Sequence, residues 1–221
     1  MHAKRSAKTT VRLFAAVCML PVLGLFHLLV RCSDSDAVFQ GFSQALSLLP
    51  GKLGVYLRAA FYRHACPATA IDIAIGFNAL FSHQQTSIGE GVYIGPQSNI
   101  GWCKLGRNCL LGSGVHILSG KRQHDFSSTQ IPIQQQGGTF TQVQIGEDCW
   151  IGNGALIMAD LGKQCVVAAG SVVTEAYPDG SIIAGNPAKM VRQRPMPPCQ
   201  SSAPVDVPRA TRNSGIIKER I

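Results

Sequence analysis

The chain has 221 residues, a formal net charge of +8, 46% hydrophobic and 14% charged residues, and 23 glycines. It is long enough to bury a substantial core and too apolar to stay unfolded. Its eight cysteines include no CxxC pair, which argues against a secreted disulfide framework, and no nucleic-acid-binding motif accompanies the basic excess.

Residues 1–36 read as a basic N-terminus followed by an apolar membrane segment. The stretch VRLFAAVCMLPVLGLFHLLV, residues 11–30, is twenty residues long, the length needed to cross a bilayer. Lys4, Arg5 and Lys8 precede it, Arg12 lies just inside it and Arg31 follows it. That bias places its start in the cytoplasm. A plain span would carry the rest of the chain outside. Pro21, mid-segment, can interrupt a helix, and a re-entrant hairpin there would return the chain to the cytoplasmic side. A start nearer Met19 would leave no anchor. A cleaved signal peptide fits less well, because LVRCSDSDA is a poor small-residue cleavage site.

Residues 37–69 read as amphipathic lead-in helices. The stretch 37–65 divides into two helices at Pro50-Gly51, and the second mixes Leu53, Val55, Tyr56, Leu57, Ala60 and Phe61 with Lys52, Arg58 and Arg63. Such a helix suits a membrane surface. It equally suits the open end of a β-structure, whose strand edges need covering.

From 70 to 194 the chain repeats itself. Units begin at Ile88, Ile94, Leu105, Leu111, Ile145, Ile151, Leu161 and Val167; all eight have an aliphatic first residue and a small fifth residue, and seven have glycine second. An aliphatic every sixth position is too sparse for an amphipathic helix and suits short strands separated by turns. Stacked parallel coils place each aliphatic on the one below, and glycine supplies the turn conformations other residues avoid. Two steps are short, five residues from Ile100 to Leu105 and four from Ile157 to Leu161, and read as tightened turns. Cys109, Cys149 and Cys165 occupy the small fifth position, where a thiol behaves as a small hydrophobe.

The period stops at GKRQHDFSSTQIPIQQQGG, residues 120–138, and then resumes. A coil can extrude a loop without disturbing its stack, and function concentrates on such loops. His116 follows a small core residue and should face outward, and His83 precedes the first coil, a place from which it could line an acceptor site. No His and carboxylate cluster has metal-ligand spacing. Residues 195–221 read as a disordered basic tail. Residues 1–31 carry five basic and no acidic groups, residues 189–221 a net +5, and the remainder −2. Basic ends suit an anionic membrane or bound phosphates.

Residues 70–194 resemble the hexapeptide-repeat acyltransferases, most closely through IGEDCWIGNGALIMADLGKQCVVAAGSVVTEAYPDGSIIAGNPAKMVRQR, with GSVVT and AGNPAK the most specific parts. The resemblance implies a mainly β fold, a left-handed parallel β-helix with an extruded loop, preceded by N-terminal helices. It implies a homotrimer with active sites between subunits, and acyl transfer from a coenzyme A thioester without a metal. The family's catalytic histidine lies in an extruded loop, so His124 is the candidate general base, with Asp125 a candidate to fix its tautomer. Asn153, Ala169 and Thr174 match cofactor-lining positions, and Lys189 and Arg192 match basic positions near its phosphates. Glu175 stands where the family often has lysine. The lead-in resembles acyltransferases of exopolysaccharide and capsule assembly. The expected activity is therefore O-acetylation of a sugar, free or lipid-linked, from acetyl-CoA at the cytoplasmic face of the inner membrane. N-acylation of an amino sugar and a non-catalytic β-helix are the alternatives.

Overall fold

The computed structural model describes residues 2–195, with side chains from residue 9. The expected disordered tail from 195 onward lies, apart from its first residue, outside the described residues. Three helices come first: α1 (His2–Cys32), α2 (Ser35–Ser47) and α3 (Gly51–Ala65). Asp34 begins α2 by accepting the Ala37 N–H at 2.7 Å, satisfying one of the donors a helix start leaves free. Pro50 and Gly51 separate α2 from α3, as the sequence indicates.

Fifteen short strands follow. The first coil holds β1 (Ala74–Ile75), β2 (Leu80–Phe81) and β3 (Ser87–Ile88). The second holds β4 (Tyr93–Ile94), β5 (Asn99–Ile100) and β6 (Cys103–Leu105), and the third β7 (Leu110–Leu111), β8 (His116–Ile117) and β9 (Val143–Ile145). Next come β10 (Trp150–Ile151) with β11 (Leu156–Ile157), β12 (Val166–Val167) with β13 (Val172–Val173), and an exit hairpin of β14 (Ser181–Gly185) and β15 (Ala188–Gln193). They form three parallel sheets: β1-β4-β7-β10-β12-β14, closed by antiparallel β15; β2-β5-β8-β11-β13; and β3-β6-β9. Single bridges at Leu161 and Tyr177 extend the third sheet. The two shortened steps are there, and the four-residue one leaves its coil only one bridging residue on that face. The architecture is the left-handed parallel β-helix with an extruded loop and leading helices.

Register explains the repeat. Ile75, Ile94, Leu111, Ile151, Val167 and Ile183 stack inside the first sheet, all essentially without solvent contact. Phe81, Ile100, Ile117, Ile157 and Val173 stack inside the second. The buried thiols of Cys109, Cys149 and Cys165 fill the fifth-position column, and each approaches a carbonyl of the next coil, Gly146, Gly162 and Pro178. Apolar burial at about 25 cal/mol per Å² makes these columns the main stabilising element.

Three expectations need correction. The second-position glycines are not the turn residues. A Cβ on Gly152 would lie 2.5 Å from the Ala169 nitrogen of the next coil, so glycine is required by close stacking. The left-handed turn residue is the fourth of each unit: Gly91, Gln97, Asn108, Gly114, Asp148, Gly154, Gln164 and Gly170 all have positive φ. Ala168, the one departure from glycine, sits where the chain above leaves the stack at Gly185 for the hairpin. Second, Arg58 does not face a membrane. It is fully buried, and donates from Nε to the Ile75 carbonyl at 3.0 Å and from one terminal nitrogen to the Leu46 and Leu49 carbonyls at 3.1 and 2.7 Å. It thereby joins the end of α2 and the first coil. Third, α1 continues through Pro21 as one helix, so there is no hairpin at that residue.

The helices lie on the first coil. Ser43 Oγ accepts the Phe81 N–H and the Tyr62 hydroxyl, the Ser47 carbonyl accepts the Asn78 N–H, and Gln40 reaches the Ser82 carbonyl. Phe26, Phe39, Phe42, Phe61 and Tyr62 form an aromatic cluster with ring centroids 5.3–6.4 Å apart, ending on Phe81 of β2.

Candidate active site

The loop between β8 and β9 has a defined stem. Thr141 N–H donates to the Ser119 carbonyl, Thr139 N–H to Arg122, and Asp125 N–H to Gly137, at 3.0, 2.6 and 2.9 Å. A Cβ at Gly138 would collide with the Gln123 carbonyl, so glycine permits the two arms to close. At the tip, the Gln136 amide donates to the Ser128 and Ile131 carbonyls and accepts the Ser128 N–H. The ordered excursion runs from 118 to 142, wider than the 120–138 interruption visible in the sequence.

His124 sits on this stem, exposed to solvent. Asp125 does not touch it. Its carboxylate accepts the Ser127 N–H at 3.0 Å, and that backbone contact holds its pKa below the usual carboxylate value.

Beside the stem is a cavity of about 380 Å³ with mixed polar and apolar walls. Its lining joins Gln40 of α2, Ser82 and His83 of the first coil, Asn99 and His116 from the second sheet, and Ser119, Gln123 and Phe140 at the loop base. His116 faces outward, as its position after a core residue implies. His83 is held firmly. Its Nδ1 is hydrogen-bonded to Ser82 Oγ at 2.9 Å and lies 3.5 Å from Ser119 Oγ, while its ring lies near-parallel to Trp102 and packs against Phe140. The spacing of His83 and His116 does not reveal that α2, three coils and the loop meet at one point.

The candidate cofactor residues separate into groups. Asn153 and Ala169 line one groove of about 490 Å³ with Trp150, Gly152, Val166, Val167 and Ala168. It lies at the corner between the first and second sheets. Asn153 also bridges coils through its Oδ1, which accepts the Ser113 N–H at 3.1 Å. Lys189 and Arg192 are exposed on β15, in the same sheet as the strands of that groove. Thr174, half-buried, follows β13 on a different corner and does not line it. His124 leaves from the corner between the second and third sheets, so one chain does not bring it onto the Asn153–Ala169 corner. Among the described residues, no three His, Cys, Asp or Glu side chains are grouped as metal ligands.

These coils and this loop define a hexapeptide-repeat protein. Residues 85–119 match the family described as bacterial transferase hexapeptide (six repeats), and residues 142–175 match the hexapeptide repeat of succinyl-transferase. The coils thus carry hexapeptide repeats of the kind found in bacterial transferases. It is 30% identical over 153 residues to a Mycobacterium tuberculosis protein named as an acetyltransferase, covering 63% of this chain and 50% of that one. It is 28% identical over 127 residues to the Escherichia coli protein WbbJ, named as a lipopolysaccharide biosynthesis O-acetyl transferase, covering 54% and 63%. The chain thus spans about half to under two thirds of those relatives' lengths. Among solved structures, a maltose O-acetyltransferase from Clostridium difficile superposes with a TM-score of 0.60 at 20% identity, covering 73% of this chain and 89% of that one. A hexapeptide-repeat acetyltransferase from Vibrio cholerae does so with a TM-score of 0.53, also at 20% identity, covering 73% and 93%.

Proposed function

We propose that this protein transfers the acetyl group of acetyl-CoA to a hydroxyl of a saccharide, free or lipid-linked, in surface-polysaccharide assembly, with His124 as general base. The carrying observation is His124 on a braced stem, one residue from Gln123 in a cavity whose walls combine amide, hydroxyl and imidazole groups with the apolar Ile117, Leu118 and Phe140. That lining matches a polyhydroxylated acceptor. The chain's similarity to proteins named as an acetyltransferase and as a lipopolysaccharide biosynthesis O-acetyl transferase supports the same chemistry.

The imidazole of His124 takes the acceptor proton as the acceptor oxygen attacks the thioester carbonyl. Collapse of the tetrahedral adduct breaks the carbon–sulfur bond, and the imidazolium returns the proton to the departing thiolate. No acyl-enzyme is needed, because the thioester is already activated. In the donor site Asn153 and Ala169 line the pantetheine path, Thr174 sits beyond it, and Lys189 and Arg192 meet the phosphates.

His124 and the groove lie on different corners of one coil stack, so a neighbouring subunit is needed to unite them, and a homotrimer provides it. Tyr93, Leu110 and Trp150, each more than 40% exposed and adjacent across β4, β7 and β10, offer an apolar row for subunit packing. The acetyl donor is a cytoplasmic metabolite and α1 is long and apolar enough for a bilayer; both support a location at the cytoplasmic face of the inner membrane.

The test is transfer of labelled acetyl from acetyl-CoA to a panel of sugars. His124→Ala should lower turnover by about 100-fold or more. Undiminished turnover in that variant would remove the proposed base. Acetylation of amino sugars alone would reassign the acceptor atom to nitrogen.

A further inference from the structure

We infer that α1 lies in the plane of a membrane containing anionic phospholipid, with its outward face sunk into the interface, and neither spans the bilayer nor re-enters it. This rests on the membrane location proposed above and adds the mode of attachment.

The geometry of α1 excludes a span. Ala15, Met19, Leu23 and Phe26 are buried against the other helices, Arg12 pairs with Asp72 at the lead-in to the first coil, and Val30 still packs on the core. From Arg12 to Val30 the helix advances about 27 Å, nearly the full thickness of a hydrocarbon layer of about 30 Å. Were α1 to cross, whatever packs along it would enter the hydrocarbon too. That includes exposed Lys52, Arg63 and His64 of α3, Gln44 of α2, and Asp72. Such groups are costly at that depth.

The opposite face of α1 has the character of an interfacial helix whose polar side has been replaced by the rest of the protein. Leu13, Phe14, Val17, Leu20, Leu25 and Leu28 are exposed, and residues 13–30 contain no charged side chain. Sinking this face by about 5–10 Å leaves both helix ends and the coils on one side.

Charge selects the occupant. Residues 1–31 carry five basic and no acidic groups. The nearby carboxylates are engaged, Asp72 with Arg12, Asp34 at the start of α2, and Asp36 with the Gln84 N–H. Between α1 and α3 lies a groove of about 510 Å³ whose walls include Leu13, Ala16, Tyr56 and Ile71, with Arg63 and His64 also on its lining. Apolar walls beside the exposed Arg63 guanidinium match a phospholipid chain and its phosphate. A second copy seated on this face would set cations against cations.

The test uses the full chain. In flotation, wild type should rise with phosphatidylglycerol-containing vesicles and less with pure phosphatidylcholine. V17E/L28E, at two exposed positions, should lose at least about tenfold in bound fraction with an unchanged helical spectrum. In spheroplasts of a C18S/C199S variant, Cys32 is the one accessible thiol besides five buried cysteines, and an impermeant maleimide should label it only after the membrane is opened. Labelling from outside would establish a span and overturn the inference. A V17E/L28E variant that still floats, or that changes only its oligomeric state, would overturn it too. V17E/L28E should still acetylate a water-soluble acceptor; a soluble wild type inactive on every acceptor would refute the enzymatic reading while leaving the attachment result intact.

Discussion

The carboxylate of Asp125 accepts the backbone N–H of Ser127 at 3.0 Å and makes no contact with its neighbour His124. Asp125 therefore shapes the loop and does not orient the imidazole in this chain. Asp125→Asn keeps an oxygen acceptor and should retain activity within about threefold, whereas His124→Ala loses about 100-fold or more. A loss of comparable size in Asp125→Asn would restore a tautomer-fixing role.

The same contact gives a pH dependence. The Asp125 pKa is lowered in the folded protein, first by the Ser127 N–H. A lowered carboxylate pKa contributes order above its unfolded value and loses it as pH falls through the folded one. Protection of the Ser127 amide from hydrogen exchange should then be constant from neutral pH down to the ordinary aspartate range and fall only below it. Loss of protection near pH 6 would point to a histidine instead.

Arg58 should be a stability residue. It satisfies the Leu46, Leu49 and Ile75 carbonyls from a fully buried position, and desolvation lowers its pKa. Arg58→Ala leaves buried acceptors unpaired and a cavity behind, a loss of about 3 kcal/mol or more. Thermal denaturation should show a fall of several degrees. Arg58→Lys keeps the charge but not the fork of donors and should fall between. An unchanged midpoint in Arg58→Ala would show that the helices do not depend on this joint.

Gly152→Ala tests the stacking explanation of the repeat. The added Cβ meets backbone atoms of Ala168 and Ala169, which cannot rotate away. About 1–3 kcal/mol of destabilisation is expected, with a raised KM for acetyl-CoA because the same atoms line the groove. Gly154→Ala, with no heavy atom within 4 Å but a φ of +65°, should cost less.

The contrast shows what the sequence made legible. The coils were readable because each core column asks for one residue type at a fixed interval: an aliphatic at Ile151, a small residue at Ala155, glycine where coils touch. The fourth-position turn was hidden because Gly154, Asp148, Asn108 and Gln164 all satisfy a positive φ by different means. The buried role of Arg58 was not legible because helical periodicity does not reveal that three carbonyls converge on one position. The cavity around His83 joins residues from 40 to 140, a juxtaposition that only the register of the coils creates. His124 stands out as a candidate in the sequence because it lies in the longest interruption of the period.

His83 offers the sharpest separation of binding from chemistry. Its ring is fixed between Trp102 and Phe140 and hydrogen-bonded through Nδ1 to Ser82, so its other nitrogen is the atom left for an acceptor. It belongs to the first coil, where it meets Ser119 and Phe140 at the loop base, and is not on the stem with His124. His83→Ala should therefore raise the acceptor KM by about tenfold, the worth of one hydrogen bond, and change kcat little, while leaving KM for acetyl-CoA as it was. His124→Ala should do the reverse, lowering kcat with both KM values near wild type. If His83→Ala instead abolished kcat and His124→Ala did not, the base would be on the first coil, and the loop histidine would serve acceptor positioning.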